Sequence, residues 1–287
     1  MGKVFNALKR VDDAMVTETA TIPNEPASAI REPAPAVSPQ PTASVGVADI
    51  SHSGQWDDRL ILAMSTTGPV AESIRALRTR ILFPASGEIP RTILVTSASP
   101  GEGKSLVCAS LAISLAQGVD NHCLLVDCDL RKPMQQVLFG ENNMRGLSDY
   151  LCRRKALPDL LLPSGIEKLS LLLSGSRSVN PAELLGSAAM MELVSELAHR
   201  YSDRVVLLDS PPLHAATETA VLAQHVDAVV LVVRAGVARR EYVRVMADAI
   251  GHDKILGVVF NGYRATPFDA RVFGYYEYQN DYYYGDR

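Results

Sequence analysis

The stretch from Thr92 to about Gln117 constrains this chain more than any other. A short β-branched run, Thr92–Thr96, leads into Ala98-Ser99-Pro100-Gly101-Glu102-Gly103-Lys104-Ser105, and an apolar run of helical character follows at once. Strand, glycine-rich loop and helix in that order are the context a phosphate-binding P-loop requires. Glycines 101 and 103 let the backbone turn so that successive N–H groups face an anion, and the positive end of the helix points at the same place. Pro100, Gly101, Glu102, Gly103, Lys104, Ser105 and Leu106 are therefore the expected phosphate cradle of an ATP site. Lys104 is expected to reach the β- and γ-phosphates, and the Ser105 hydroxyl to hold Mg2+.

Apolar runs at Cys123–Val126, Leu169–Leu173, Val205–Leu208, Ala228–Val233 and Ile255–Phe260 alternate with helical patterns near Met190–Tyr201, Thr217–Gln224 and Arg240–Gly251. Ile74, Leu77, Ile81 and Leu82 predict a further helix within Val70–Phe83. Continuous apolar strands separated by helices predict an α/β fold of the P-loop NTPase type, a mostly parallel sheet with helices on both faces. One such domain is expected over residues 56–268 of the 287, which are 47% apolar.

The flanks differ from this domain. Val4, Phe5, Leu8 and Val11 predict a short amphipathic helix over residues 3–15, and from Val16 to His52 the chain is Pro-, Ala- and Ser-rich, which predicts a disordered linker. The segment 1–55 is thus expected to stand outside the domain. The N-terminus has no apolar core of a signal peptide, and no apolar stretch reaches the ~18 residues that cross a bilayer, so a cytoplasmic protein is expected. A net charge of −4 gives no general reason to expect nucleic acid or anionic lipid as the main partner. Cys108, Cys123, Cys128 and Cys152 form no C-x-x-C pair and read as reduced thiols.

Ligands of a parallel sheet bind at the carboxyl ends of its strands. Two strand ends carry acids: Asp127 and Asp129 after Cys123–Val126, and Asp209 after Val205–Leu208. Two residues apart in an extended segment, Asp127 and Asp129 point the same way, so one can take a proton while the other holds metal water. Arg131 falls on the same side and is free to meet either phosphate or those acids.

The last stretch, residues 269–287, is different again. Six of the final thirteen residues are tyrosine (Tyr275, Tyr276, Tyr278, Tyr282, Tyr283, Tyr284), interleaved with acids and glycines. It reads as an exposed polar tail. Stacking on single-stranded nucleic acid needs interleaved cations, and no Lys or Arg lies between Arg271 and Arg287.

Six ordered motifs then resemble one known group, the bacterial tyrosine kinases of exopolysaccharide and capsule synthesis, the CpsD/CapB/Wzc cytoplasmic-domain type. They are Glu72-x-x-Arg75-x-x-Arg78, the loop ending Gly103-Lys104-Ser105, Asp127-Cys128-Asp129-Leu130-Arg131, Asn180-Pro181-Ala182-Glu183-Leu184-Leu185, Leu208-Asp209-Ser210-Pro211-Pro212, and the tyrosine tail. The resemblance implies a Mg-ATP-dependent kinase that phosphorylates its own C-terminal tyrosines. It implies that Ser105, Asp129 and Asp209 hold Mg2+, that Lys104 binds phosphate, and that Asp127 is the base for the tyrosine hydroxyl. Asn261 resembles the asparagine that contacts adenine in related P-loop ATPases, with a plain strand-end turn as the alternative.

Glu72, Arg75 and Arg78 on their own read as an ordinary surface pair with a neighbouring cation. The resemblance places them at the interface of a ring-like homo-oligomer, in which each tail enters a neighbouring site. It also implies other protein tyrosine substrates and a membrane-bound polysaccharide co-polymerase that recruits the chain to the inner face of the cell membrane. Two alternatives stand beside this reading: a ParA/MinD-like ATPase switch, and a non-catalytic nucleotide-binding regulator. The switch proteins carry a lysine five residues before the P-loop lysine, and here that place is Ser99.

Overall fold

A computed structural model describes residues 56–63, 68–84, 87–119, 121–142, 144–176, 180–200 and 204–263. The expected N-terminal helix and linker and the tyrosine tail lie outside the described residues.

Two helices come first, α1 (Asp58–Ala63) and α2 (Pro69–Leu82). The sheet is built from β1 (Thr92–Ser97), β2 (His122–Asp127), β3 (Leu162–Pro163), β4 (Leu169–Leu172), β5 (Arg204–Asp209), β6 (Ala228–Arg234) and β7 (Ile255–Asn261). Between strands lie α3 (Lys104–Ala116), α4 (Gln135–Leu138), α5 (Leu147–Leu151), α6 (Pro181–Leu185), α7 (Ala188–Arg200), α8 (Glu218–His225) and α9 (Arg240–Ile250).

The strand order is β3-β4-β2-β5-β1-β6-β7. All pairs are parallel except β3 with β4. The expected mostly parallel sheet is thus present. The antiparallel edge β3 was not predicted: two residues are too few to leave a periodic signal. The short helices α4, α5 and α6 escaped for the same reason.

Every residue of β1 and β5 is buried, as continuous apolar strands covered on both faces should be. Alternate side chains feed two apolar layers. Leu94, Leu124, Val206 and Val229 face one, with α7 and α8, while Ile93, Leu125, Leu207 and Val230 face the other, beneath α3. Each fully buried Leu or Ile contributes about 1.5–3 kcal/mol relative to exposure. Helix α3 is apolar almost all round, and twelve of its thirteen residues are buried, because α1 and α2 cover the side turned away from the sheet.

Trp56 opens the described chain as a buried side chain, edge-to-face on Phe139 with ring centroids 5.7 Å apart. Cys108, Cys123 and Cys128 are buried free thiols, whereas Cys152 is exposed. Burial pushes the Cys123 thiol up to about 12, which keeps it protonated and inert.

Candidate active site

Strand β1 runs through the middle of the sheet, so the loop after it opens at the carboxyl edge, flanked by the ends of β5 and β6. Gly103 sits at the N-terminus of α3 with φ of +91°, a left-handed conformation that glycine adopts without steric cost. An added Cβ there would lie 2.1 Å from Asn261 Nδ2.

The loop is pinned from behind by its own Glu102, which is fully buried. The Glu102 carboxylate accepts from Ser99 N at 2.6 Å and from Arg234 N at 3.0 Å, and its carbonyl accepts from Asn261 Nδ2 at 2.8 Å. Arg234 Nη1 adds a bond of 3.0 Å to Gly101 O. The carboxyl ends of β6 and β7 therefore hold the P-loop in place. Nothing in the spacing of Glu102 and Arg234 announces this, and of Asn261 only its place after a late strand stood out.

In front of the loop, Lys104 Nζ donates to Asp129 Oδ2 at 2.9 Å and to Ser105 Oγ at 3.2 Å, and lies 3.8 Å from Asp209 Oδ1. Lysine, serine and two carboxylates, from α3, the loop after β2 and the end of β5, meet at one point. Burial works against the Lys104 charge, but Asp209 and Asp129 outweigh it and raise its proton affinity above that of an ordinary lysine.

Asp127 sits directly across from Asp209 in the β2–β5 register. Its two oxygens are taken by backbone N–H groups, Asp129 N at 3.0 Å and Gln135 N at 3.1 Å. Burial, and then the Asp209 charge, nevertheless hold its carboxyl well above the usual carboxylate range. Burial raises Asp209 too, with Lys104 pulling the other way.

Arg131 turns away from both acids. Its guanidinium pairs with the buried Glu218 at the start of α8, Nη2 to Oε1 being 2.6 Å. On α2, Arg75 pairs with Glu72 along the helix, and Arg78 Nη1 donates to Ser114 O on α3 at 2.9 Å. Arg78 is thus tied into its own domain.

A residue that sequence reading passed over lies at the centre. Gln135 is fully buried, and its Nε2 donates to Asp209 Oδ2 at 2.8 Å and to Ser105 O at 3.1 Å. Among the described residues Asp209 Oδ1 and Gln135 Oε1 are buried without a hydrogen-bond partner.

Two relatives bear on the family of this arrangement. The tyrosine-protein kinase YwqD of Bacillus subtilis is 33% identical over 228 residues, which cover 78% of this chain and 94% of that protein. The chain belongs to the bacterial tyrosine kinases. The tyrosine-protein kinase Wzc of Salmonella typhimurium is 33% identical over 223 residues, and there this bacterial tyrosine kinase spans only 31% of the relative's length. The crystal structure of the chimerical protein CapA2B2 superposes with a TM-score of 0.65 at 33% identity, covering 75% of this kinase-family chain and 95% of that one. The septum site-determining protein MinD of Pyrococcus horikoshii, at 22% identity and a TM-score of 0.50, shares the fold alone. No family model matches the chain.

Proposed function

We infer that this protein is an ATP-dependent protein tyrosine kinase that phosphorylates its own C-terminal tyrosine cluster, acting between subunits, and that it regulates exopolysaccharide or capsule synthesis or export. The observation that carries the reading is the meeting of Lys104 with Ser105, Asp129 and Asp209 at the mouth of the P-loop, in a chain that also supplies six clustered phenols.

The residues fit a magnesium ion. Ser105, Asp129 and Asp209 offer hard oxygen donors, and Asp209 Oδ1 is a buried acceptor without a hydrogen bond, faced by Lys104 Nζ at 3.8 Å. Among the described residues no three acidic, His or Cys side chains form a ready-made metal cage. Magnesium with a nucleotide does not need one, because it takes one or two carboxylates, water and phosphate oxygens. When bound it neutralises charge on the transferring phosphoryl group.

The chain's own groups do the rest. Loop amides and the helix terminus cradle the phosphates, and Lys104 balances the charge that builds on the γ-phosphoryl oxygens. Asn261 would contact the adenine, and Arg131, whose guanidinium pairs with Glu218, is a candidate phosphate ligand. Asp127 orients the tyrosine hydroxyl and takes its proton. A carboxyl whose proton affinity is raised above the usual range is better matched to a phenol, whose own pKa is about 10.

A flexible tail tethered to a neighbouring subunit arrives at high effective concentration, which favours reaction between subunits of a ring. Glu72, Arg75 and Arg78 on α2 are assigned to that ring contact. No helix among the described residues is long and apolar enough to cross a membrane. A separate membrane-bound co-polymerase is the proposed partner that recruits the kinase to the inner face of the membrane. Other protein tyrosines are further substrates, and nucleic acid is not one of the partners.

Incubation of the purified protein with Mg-ATP tests the reading. Phosphotyrosine should appear in the wild type, vanish in Lys104→Met, and fall sharply in a version truncated after Phe268. Absence of label from the wild type removes the kinase reading, and undiminished label after truncation removes the tail as acceptor.

A further inference from the structure

We propose that Gln135 is a positioning residue for the metal-binding face of the site: its amide fixes Asp209 and Ser105 in the arrangement that receives magnesium. This rests on the reading of the site as one for Mg-nucleotide.

Gln135 is the first residue of the short helix α4, and it reaches the site twice. Its backbone N–H holds Asp127 Oδ2 at 3.1 Å. Its side-chain Nε2 lies 2.8 Å from Asp209 Oδ2 and 3.1 Å from Ser105 O. Both side-chain partners accept, and the carbonyl can do nothing else, so the amide must present its NH2 group to them and its oxygen elsewhere. The helix that carries Gln135 is itself anchored, since Leu138 is buried and its carbonyl accepts from Asp57 N at 3.0 Å.

The consequence for Asp209 is specific. One oxygen is saturated by the amide, and the other, Oδ1, is left as a buried acceptor with Lys104 Nζ 3.8 Å away. A carboxylate so held offers one oxygen in one direction, which is what a partner behind a metal ligand does. The same NH2 group holds the carbonyl of Ser105, whose hydroxyl is another expected ligand, so a single side chain sets the separation of two of the three donors.

A purely structural role would be felt equally with and without metal. The full-length protein is titrated with a fluorescent ADP derivative, once in chelator and once across a magnesium series. Gln135→Leu should raise the magnesium concentration for half-maximal tightening by about tenfold, in the range found when such supporting partners are removed. Affinity in chelator should change less than about twofold. Gln135→Met, of similar length and without a donor, should behave alike and covers the case in which the branched variant folds poorly. An unchanged magnesium requirement, or an equal loss of affinity with and without magnesium, overturns the proposal. If the wild type itself shows no magnesium-dependent tightening, the Mg-nucleotide reading falls, and the role of Gln135 falls with it.

Discussion

Asn261 Nδ2 lies 2.8 Å from the carbonyl of Glu102, so the end of β7 is fastened directly to the phosphate loop. The same amide fills the space that a side chain at Gly103 would need. Gly103→Ala should therefore be penalised twice, by about 1–2 kcal/mol for a non-glycine residue in the left-handed region and by eviction of Asn261. Thermal denaturation should register a fall of several degrees, with weakened nucleotide binding. Adding Asn261→Gly should recover the contact portion and not the backbone portion. A Gly103→Ala variant with wild-type melting and nucleotide affinity would contradict this geometry.

Glu102 is the buried acceptor for two backbone N–H groups, that of Ser99 in the loop and that of Arg234 at the end of β6. Truncation in Glu102→Ala leaves both without a partner at a cost of about 1–3 kcal/mol each. Glu102→Gln keeps one acceptor oxygen and should lie between wild type and alanine in melting temperature. Equal stability of all three proteins would rule out the carboxylate as the loop's anchor.

Asp127 and Asp209 oppose each other across β2 and β5, and burial raises both above the ordinary carboxylate value. An acid whose folded pKa exceeds its unfolded value costs stability at pH above the folded value. The cost fades as pH falls toward about 4, where both states are protonated. In chelator the wild type should therefore gain stability as pH is lowered from neutral toward about 5, as far as this pair decides it. Asp209→Asn removes one of the facing charges. It should melt higher than the wild type at roughly pH 8 in chelator, show a flatter pH profile, and lose the stabilisation that magnesium with ADP brings. Lower melting than the wild type at every pH tested would show that the pair does not repel.

Arg78 and Arg75 share one helix face by spacing yet differ in attachment. Arg78 donates to Ser114 O within the same domain, whereas Arg75 pairs with the exposed Glu72. Arg78→Ala should lower stability by about 1 kcal/mol, the net value of one hydrogen bond. Glu72→Ala, at an exposed side chain, should leave melting unchanged, and both Glu72→Ala and Arg75→Ala should reduce the assembly mass seen by light scattering after size exclusion. Unchanged mass in both would remove α2 from the proposed ring contact.

The fold was largely legible in the chain. Apolar runs of strand length, a glycine-rich turn and helical periodicity are local signals, and they located β1, β2, β4 to β7, α2, α3 and α7 to α9 to within a few residues. Asp127 and Asp209 were legible because a parallel sheet puts strand ends on one edge, so an acid after an apolar run has a known address. Two-residue β3 and the four- or five-residue helices α4 to α6 were not, since a segment shorter than two turns shows no period.

By itself, then, the sequence determined the P-loop, the α/β class and the presence of lysine, serine and carboxylates at one edge. Only the tertiary structure decided who satisfies whom. Gln135 meets Asp209 across 74 residues of chain, Arg131 meets Glu218 across 87, and Arg234 meets Glu102 across 132. Such pairs form because buried polar groups must find partners among whatever the crossovers bring near, and that choice is written in the packing of distant strands rather than in any local spacing.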